Sequence, residues 1–356
     1  MAPPPPPPTE AVLPGGGGSA LADGRLGYGS KLTHAAAGRS STTRDQRGGD
    51  TRPHPHTTGA HPQRHRAAKT PIPASTARPN PNTGHEHRQR RPATAVAPAG
   101  ATQTPIDPPT RAHPDLTLDD AYAIQAAWVD LQVANGAEIR GHKIGLTSRA
   151  MQQAMNIDEP DFGALLDYMF LPSGGSIVAA DYLDPKIEVE FAFVLSDALV
   201  PHDLGRDLTP DDVYAATEYI VPALELIDAR SHRVHPDDGR TRTVRDTISD
   251  NAANAGIVVG SEQIGVESAR NGDLRWAGAI CSRNGIVEET GLGAGVLDDP
   301  VTAVLWLVRR LARYGQGLAA GEVVLSGSFV RPIEAPPGSL FEADFGAFGS
   351  VAVGFD

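Results

Sequence analysis

Two carboxylates separated by a single residue lie inside an apolar stretch of the chain. The segment from Lys186 to Leu195 reads KIEVEFAFVL and alternates as a β-strand does, which places Glu188 and Glu190 on one face about 7 Å apart. A third carboxylate, Glu225, interrupts the apolar segment VPALELI. Buried like charges are unfavourable unless a cation neutralises them, and carboxylate oxygens suit hard divalent cations. The three residues therefore predict a Mg²⁺ or Mn²⁺ site with open positions for water or a chelating substrate.

Spacing alone leaves a second interpretation open, in which the same glutamates face solvent from half-exposed strands. A lysine gives a further indication of chemistry, because only Lys143 and Lys186 are lysines among the 18 basic residues after position 100. Lys143 lies in the segment GHKIGLTS, between glycines that let the backbone approach a ligand closely. Beside a chelated 2-oxo acid, such a lysine holds a carboxylate or moves a proton. An ordinary exposed lysine also fits this pattern.

The elements that position these residues are mainly strands. Helices are predicted from the capping box at Thr117 to Gly136, from Thr209 to before Pro222, and from Asp299 to Gly315. Strands are predicted over 186–195, 223–227, 321–329 and 340–355, the last two of which are broken by glycines. Because the strands outnumber the helices and do not alternate with them regularly, the fold class predicted is α+β around an antiparallel or mixed sheet.

The composition divides the chain into two parts of opposite charge. Residues 1–100 contain 13 Lys and Arg against 5 Asp and Glu, whereas the remainder holds 18 basic and 38 acidic residues. The first part also lacks the apolar surface that offsets ordering entropy. We therefore predict a disordered Pro/Gly/His/Arg-rich leader over 1–103 and a single catalytic domain over 104–356. Three interpretations of the leader stay open: an extension without function, a basic tail that binds nucleic acid or acidic partners, and an organelle-targeting segment.

Several classes of protein are excluded by the same composition. The single cysteine, Cys281, excludes an internal disulfide scaffold and favours a reducing compartment. No apolar run approaches the roughly 20 residues of a membrane span, and six prolines, Pro3 to Pro8, stand where a secretory signal needs an apolar helix. The acidic charge of the second part opposes nucleic-acid binding. We expect a cytoplasmic protein that acts on a small molecule and has no membrane partner, and we do not expect the acidic part to bind nucleic acid.

Six segments of the acidic part together resemble the hydratase and decarboxylase branch of the fumarylacetoacetate hydrolase superfamily. They are GHKIGLTSRAMQ (Gly141–Gln152), IDEPDFGALLDYMF (Ile157–Phe170), KIEVEFAFVL (Lys186–Leu195), YIVPALELIDARSH (Tyr219–His232), DTISDNAANAG (Asp246–Gly256) and RNGIVEETG (Arg283–Gly291). The resemblance is dense and collinear from about Thr104 to the C-terminus and does not extend to the leader. It implies a mixed β-sandwich roll with peripheral helices, assembled as a homo-oligomer.

The resemblance also implies roles for individual residues. The family's E-x-E motif falls on Glu188 and Glu190, and its third acidic ligand falls on Glu225, which implies that these residues bind Mg²⁺ or Mn²⁺. The motif lysine falls on Lys143, and the acidic residue of a D-[FY]-G element falls on Asp161. These two residues are therefore expected to be catalytic, with Lys143 stabilising charge on the substrate and Asp161 moving protons.

The reaction implied by the resemblance is the metal-dependent hydration of a seven-carbon unsaturated 2-oxo diacid. Water adds at C4 and gives 4-hydroxy-2-oxoheptanedioate, a step in the catabolism of aromatic compounds. Two reactions of the same branch stay open as alternatives, the hydration of 2-oxo-pent-4-enoate and the decarboxylation of 4-oxalocrotonate. A non-catalytic partner subunit is the alternative from a different class, although the intact glutamates and Lys143 argue against it.

Two residues, Ser328 and Arg230, are candidates for substrate binding. The segment Ser326-Gly327-Ser328 offers hydroxyl or backbone donors. The far carboxylate of a diacid needs a cation, and the sequence does not rank the four candidates, which are Arg149, Arg230, Arg233 and Arg331.

Overall fold

The computed structural model of the protein describes residues 104–200 and 206–356. The predicted leader over 1–103 lies outside the described residues, and the boundary between the leader and the catalytic domain stays a prediction. All described residues belong to one compact unit. Within them, no helix combines the length and the apolar character needed to cross a membrane.

The described residues contain seven α-helices, two of which are long. In chain order they are α1 (Pro109–Ala112), α2 (Leu118–Ala134), α3 (Arg149–Met155), α4 (Pro210–Ala216), α5 (Val244–Ser249), α6 (Val266–Gly272) and α7 (Pro300–Ala312). The two long helices begin as predicted. The Thr117 side chain accepts a hydrogen bond from Asp120 N in a capping box, and the Asp299 side chain accepts one from Val301 N.

Fourteen strands in the described ranges form two mixed sheets. In chain order they are β1 (Ile139–Gly145), β2 (Asp161–Leu166), β3 (Phe170–Leu171), β4 (Ser176–Ile177), β5 (Lys186–Leu195), β6 (Thr217–Ile227), β7 (Asn254–Val259), β8 (Ile264–Gly265), β9 (Gly278–Arg283), β10 (Ile286–Leu292), β11 (Val323–Leu325), β12 (Ile333–Glu334), β13 (Ser339–Asp344) and β14 (Ser350–Phe355). The larger sheet has the order β2-β1-β11-β5-β6-β7-β3, with β12 also paired to β5 and β8 to β6, and the smaller sheet has the order β10-β9-β13-β14-β4. The parallel pairs β1–β11, β3–β7 and β4–β14 occur among antiparallel ones, which confirms the predicted fold class.

Strand β5 at the centre of the larger sheet has two faces with different surroundings. Phe191 and Phe193 are fully buried in the main core, and the Phe191 ring stacks on Phe345, after β13, with the ring centroids 4.9 Å apart. This aromatic contact packs the two sheets against each other. The opposite face of β5 carries Glu188 and Glu190 beside a second, smaller apolar cluster. The carboxylates therefore emerge from the middle of a sheet rather than from its edge.

The region before β6 differs from the sequence prediction. The helix that begins after Thr209 ends at Ala216, and β6 starts at Thr217, well before the predicted strand. Pro222 lies inside β6 because β6 pairs with β8 on one side of this residue and with β7 on the other. The carbonyl of Pro222 accepts a hydrogen bond from Gly260 N at 2.8 Å, at the same junction. A missing N–H costs little there, since neither β7 nor β8 pairs with Pro222.

Candidate metal centre and substrate cavity

The three glutamates predicted as metal ligands lie on adjacent antiparallel strands. Glu188 of β5 and Glu225 of β6 are direct cross-strand partners, and Glu190 lies two residues further along β5 on the same face. One carboxylate oxygen from each residue lies within 4.8 Å of the others. Glu190 and Glu225 are completely buried, whereas Glu188 is partly exposed. The cross-strand register, rather than proximity in sequence, brings the third carboxylate to the first two.

Fixed donors orient two of these carboxylates. Gly327 N donates a hydrogen bond to Glu190 Oε2 at 2.7 Å, and Asn254 Nδ2 donates one to Glu225 Oε1 at 2.9 Å. The other oxygens, Glu190 Oε1 and Glu225 Oε2, are buried without a hydrogen-bond partner among the described residues. Buried acceptors are normally satisfied, and a divalent cation would satisfy both at once. The all-oxygen donor set fits a hard cation.

The charges of the cluster also favour a cation. Burial raises the pKa of Glu188 well above its ordinary value, and the negative charge of Glu225 adds to the shift. The same two causes, with a contribution from Glu188, raise the pKa of Glu190. Both carboxyls therefore ionise at neutral pH only when a positive charge offsets the cost of burial.

Lys143 supplies one such positive charge from strand β1. Its side chain is 3% exposed, and its Nζ atom lies 3.2 Å from Glu225 Oε1. Burial alone would lower the pKa of Lys143, but Glu225 and Asp161 outweigh this effect and raise the pKa above its usual value. The ammonium group thus stays charged, and a single lysine does not neutralise three glutamates. The remaining negative charge matches a divalent ion.

Asp161 lies opposite Gly145 in the ladder between β1 and β2, on the side of Lys143. The residue is 1% exposed, and its Oδ1 atom has no hydrogen-bond partner among the residues that the structure describes. Burial raises the pKa of Asp161 to about 6, with Lys143 opposing the shift and Glu225 adding to it. A carboxyl with this pKa exchanges a proton readily near neutral pH.

A cavity of about 230 Å³ joins these groups. Its wall includes Lys143, Asp161 and Glu188, and it also includes two arginines, Arg233 and Arg242. Apolar side chains complete the wall, among them Leu146, Met151, Met155 and Pro332. One predicted metal ligand, a proton-exchanging carboxyl and positively charged groups for an anion therefore line the same small cavity.

The two other predicted substrate-binding residues are engaged elsewhere. Ser328 Oγ accepts a hydrogen bond from Val189 N at 3.1 Å and donates one to Val189 O at 3.3 Å. The Arg230 guanidinium pairs with Asp250 and donates a hydrogen bond to Asn254 O at 3.0 Å. Neither side chain is among those that line the cavity. Substrate binding by Ser328 and Arg230 stays a prediction.

Two residues of the site, Asn254 and Arg242, were not singled out from the sequence, and Gly145 was noted only as a glycine that flanks Lys143. Asn254 lies in the segment DTISDNAANAG that carried the family resemblance, so a signal for it was present. A side chain at Gly145 would place its Cβ atom 2.3 Å from Asp161 Oδ1 and 3.1 Å from Lys143 Nζ, a constraint that only the fold reveals. Arg242 lies in a polar loop without periodicity, and no sequence pattern marks it.

The folded part of the chain is similar to known enzymes. It is 50% identical over 243 residues to the 2-oxo-hept-4-ene-1,7-dioate hydratase of Escherichia coli, and the match covers 68% of this chain and 88% of that protein. It is 39% identical over 257 residues to the 2-keto-4-pentenoate hydratase of Paraburkholderia xenovorans, and this match covers 71% of the chain and 89% of that protein. No protein-family model matches the sequence.

A solved structure shares the fold. The 4-oxalocrotonate decarboxylase from Pseudomonas putida, complexed with magnesium and adipate, aligns with a TM-score of 0.68 at 30% sequence identity, covering 74% of this chain and 95% of that chain. The sequence matches to the hydratases and the structural match to the decarboxylase cover the same folded part. The chain belongs to the hydratase and decarboxylase branch of the fumarylacetoacetate hydrolase superfamily.

Proposed function

We propose that this protein is a divalent-metal-dependent hydratase, a hydro-lyase that converts 2-oxo-hept-4-ene-1,7-dioate into 4-hydroxy-2-oxoheptanedioate in aromatic catabolism. The observation that carries the proposal is the clustering of Glu188, Glu190 and Glu225. Glu188 lines one cavity together with Lys143 and Asp161, and Lys143 Nζ contacts Glu225. The 50% identity to a hydratase named for the seven-carbon diacid supports this substrate.

The three glutamates would hold Mg²⁺, with Mn²⁺ as the alternative ion. The two unpartnered oxygens, Glu190 Oε1 and Glu225 Oε2, are the ligand atoms that the structure leaves available. When bound, the cation would supply Lewis-acid polarisation of the substrate's 2-oxo group and balance the charge of its carboxylate. Asn254 and Gly327 would keep the ligands in place, because each donates a hydrogen bond to the other oxygen of the same carboxylate.

The reaction needs a shift of the double bond followed by the addition of water. Moving the double bond from C4–C5 to C3–C4 removes a proton from C3 and adds a proton to C5, which makes C4 electrophilic. Water then gives its oxygen to C4 and loses a proton, and a proton returns to C3, so that the net change is one added water. Asp161 is the proposed carrier of these protons, because its Oδ1 atom is unpartnered among the described residues and its pKa is about 6.

Lys143 is proposed to stabilise the negative charge that develops on the 2-oxygen when C3 loses its proton. Its ammonium group is held 3.2 Å from Glu225 and is nearly excluded from solvent, so it needs no rearrangement as the charge appears. Its raised pKa makes it a fixed cation rather than a proton carrier. The two residues therefore have different proposed roles: Lys143 stabilises negative charge on the substrate, and Asp161 transfers protons.

Decarboxylation of 4-oxalocrotonate is the second candidate function. The 30% identical decarboxylase structure favours it, since that enzyme has the same fold. The same metal ligands would serve either reaction, but decarboxylation would require one proton to be delivered and no water to be added.

The test is to follow the ultraviolet absorbance of the 2-hydroxydienoate form of each substrate, with Mg²⁺ and then with EDTA. The five-carbon acid and the seven-carbon diacid are compared, and the products are identified by mass. Metal-dependent loss of absorbance with the gain of one water, faster for the diacid, is the expected result. Release of CO₂ would instead identify a decarboxylase. No turnover by metal-loaded protein would favour a non-catalytic partner subunit.

A further inference from the structure

Two arginines in the cavity wall have no part in the proton chemistry described above. Arg233 and Arg242 lie at the base of a short hairpin in which Arg242 N donates a hydrogen bond to Arg233 O at 2.9 Å. The next pair of residues, Val234 and Thr241, forms an antiparallel bridge. This pairing keeps the two arginines adjacent although eight residues separate them in sequence. Both side chains line the cavity that contains Glu188, Lys143 and Asp161.

The Arg242 guanidinium is buried, and few hydrogen bonds offset the cost of removing its charge from water. Its side chain is 7% exposed, and among the described residues its hydrogen bonding is limited to one long contact of 3.4 Å to Asp250 Oδ2. Asp250 is already occupied by Arg230, whose backbone N donates to the same oxygen at 2.8 Å and whose guanidinium pairs with the other. Burial lowers the pKa of Arg242; the charge of Asp250 opposes this shift, and the positive charges of Arg233 and Arg230 add to it. A buried cation in this position favours an anionic ligand.

None of the four arginines predicted from the sequence is both buried and part of the cavity wall as Arg242 is. Arg331 is 72% exposed and pairs with Glu289. Arg149 is exposed at the start of α3, and Arg230 is committed to Asp250. Arg233 forms an ion pair with Asp184. Its side chain is 28% exposed, against 7% for Arg242, so Arg233 is the more accessible of the two to solvent.

We propose that Arg242, assisted by Arg233, binds the distal carboxylate of the substrate and thereby selects dicarboxylates over monocarboxylic 2-oxo acids. The proposal rests on the proposed function, because it assumes that the other carboxylate lies at the glutamate cluster. A guanidinium presents a fork of N–H donors that matches a carboxylate, and a substrate without the distal carboxylate would leave that buried charge unpaired.

The test compares Arg242→Gln and Arg233→Gln with Arg331→Gln, which removes an equal charge from an exposed position. The substrates are the seven-carbon diacid and the five-carbon monoacid. Arg242→Gln should lower kcat/KM for the diacid about 10- to 100-fold, mainly through KM, because a hydrogen bond to a charged group is lost. Turnover of the monoacid should be unchanged or faster. Arg233→Gln should have a smaller effect in the same direction, and Arg331→Gln should have none.

A binding measurement keeps the two proposals distinguishable. Calorimetry with Mg²⁺ present would compare adipate with hexanoate, which has the same chain length and one carboxylate. Wild-type protein should prefer adipate, Arg242→Gln should lose that preference, and Arg242→Lys should restore part of it. An equal loss of activity on both substrates, or an adipate preference that survives in Arg242→Gln, would overturn the inference. If neither acid is hydrated, the proposed function fails. If the adipate preference of the wild type is also lost in Arg242→Gln, the binding of a distal carboxylate by Arg242 is still supported.

Discussion

Substituting Gly145 by alanine tests whether the relative position of Lys143 and Asp161 governs the reaction. The added Cβ atom would lie 2.3 Å from Asp161 Oδ1, whereas an ordinary contact begins at 3.4 Å. The carboxyl must therefore move by about 1 Å, and a misplacement of this size costs about 100-fold in rate when it separates reacting groups. Overpacking costs about 1–3 kcal/mol of stability, and alanine recovers about 0.5–1 kcal/mol of this in backbone entropy. The net loss of stability is small enough for the protein to remain folded.

The assay is the metal-dependent loss of 2-hydroxydienoate absorbance, measured with the melting temperature and the Mg²⁺ affinity of each variant. Gly278→Ala is the matched control, because Gly278 also lies in a strand and its added Cβ atom would meet only Leu292 Cδ2, at 3.9 Å. Gly145→Ala should lose about 100-fold in kcat while it keeps most of its Mg²⁺ affinity, since the glutamates are untouched. Gly278→Ala should behave as the wild type does.

A Gly145→Ala protein that is folded, binds Mg²⁺ and turns over as fast as the wild type would refute this reasoning. It would show that Asp161 either does not carry the protons or is free to move without consequence. A parallel loss of Mg²⁺ affinity would point instead to a disturbance that spreads to the glutamate cluster.

Three further predictions concern the metal cluster and its lysine. Glu225→Gln should abolish the rise in melting temperature that Mg²⁺ produces, because a buried ligand loses its charge while the bond to Asn254 is kept; an undiminished Mg²⁺ effect would contradict the ligand assignment. Lys143→Met should lower kcat about 100- to 1000-fold with Mg²⁺ binding retained, and unchanged turnover would remove Lys143 from the mechanism. In metal-free protein the free energy of unfolding should fall as pH rises from about 4.5 to about 8, because folded Glu188 still holds a proton that the unfolded chain has released. Saturating Mg²⁺ should reduce this fall, since it replaces the protons; melting curves with equal pH dependence in both states would show that the cluster does not bind the ion.

The glutamate pair on β5 was predictable because the pattern of period two appears in ten consecutive residues. Its partner Glu225 carried only a weak signal, a charge in an apolar segment, because cross-strand register depends on the pairing of β5 with β6 rather than on local sequence. The predicted start of β6 was wrong for a related reason. The sequence predicted a helix that ends before Pro222 and a strand that starts at 223. The change of neighbour from β8 to β7, which allows Pro222 to lie inside β6, is not visible in the local sequence.

The sequence did not predict which arginine lines the substrate cavity. Four arginines were candidates for the distal carboxylate, and no pattern in the sequence ranks them: Arg149, Arg230, Arg233 and Arg331. Arg242 enters the cavity only because the hairpin returns the chain to Arg233. The region over 340–355, in contrast, was predicted as strand broken by glycine, and it forms β13 and β14.

Because Glu188 pairs directly with Glu225, the metal cluster forms only when β5 and β6 pair in the correct register. If β5 and β6 paired one residue out of register, the two carboxylates would leave opposite faces of the sheet and would not meet around one ion. Because β5 and β6 are adjacent in the centre of the larger sheet, an error there would displace every strand outward from them. Binding of the ion adds its free energy only to the correctly paired sheet, so the cation would act during folding as a selector of strand register as well as a cofactor.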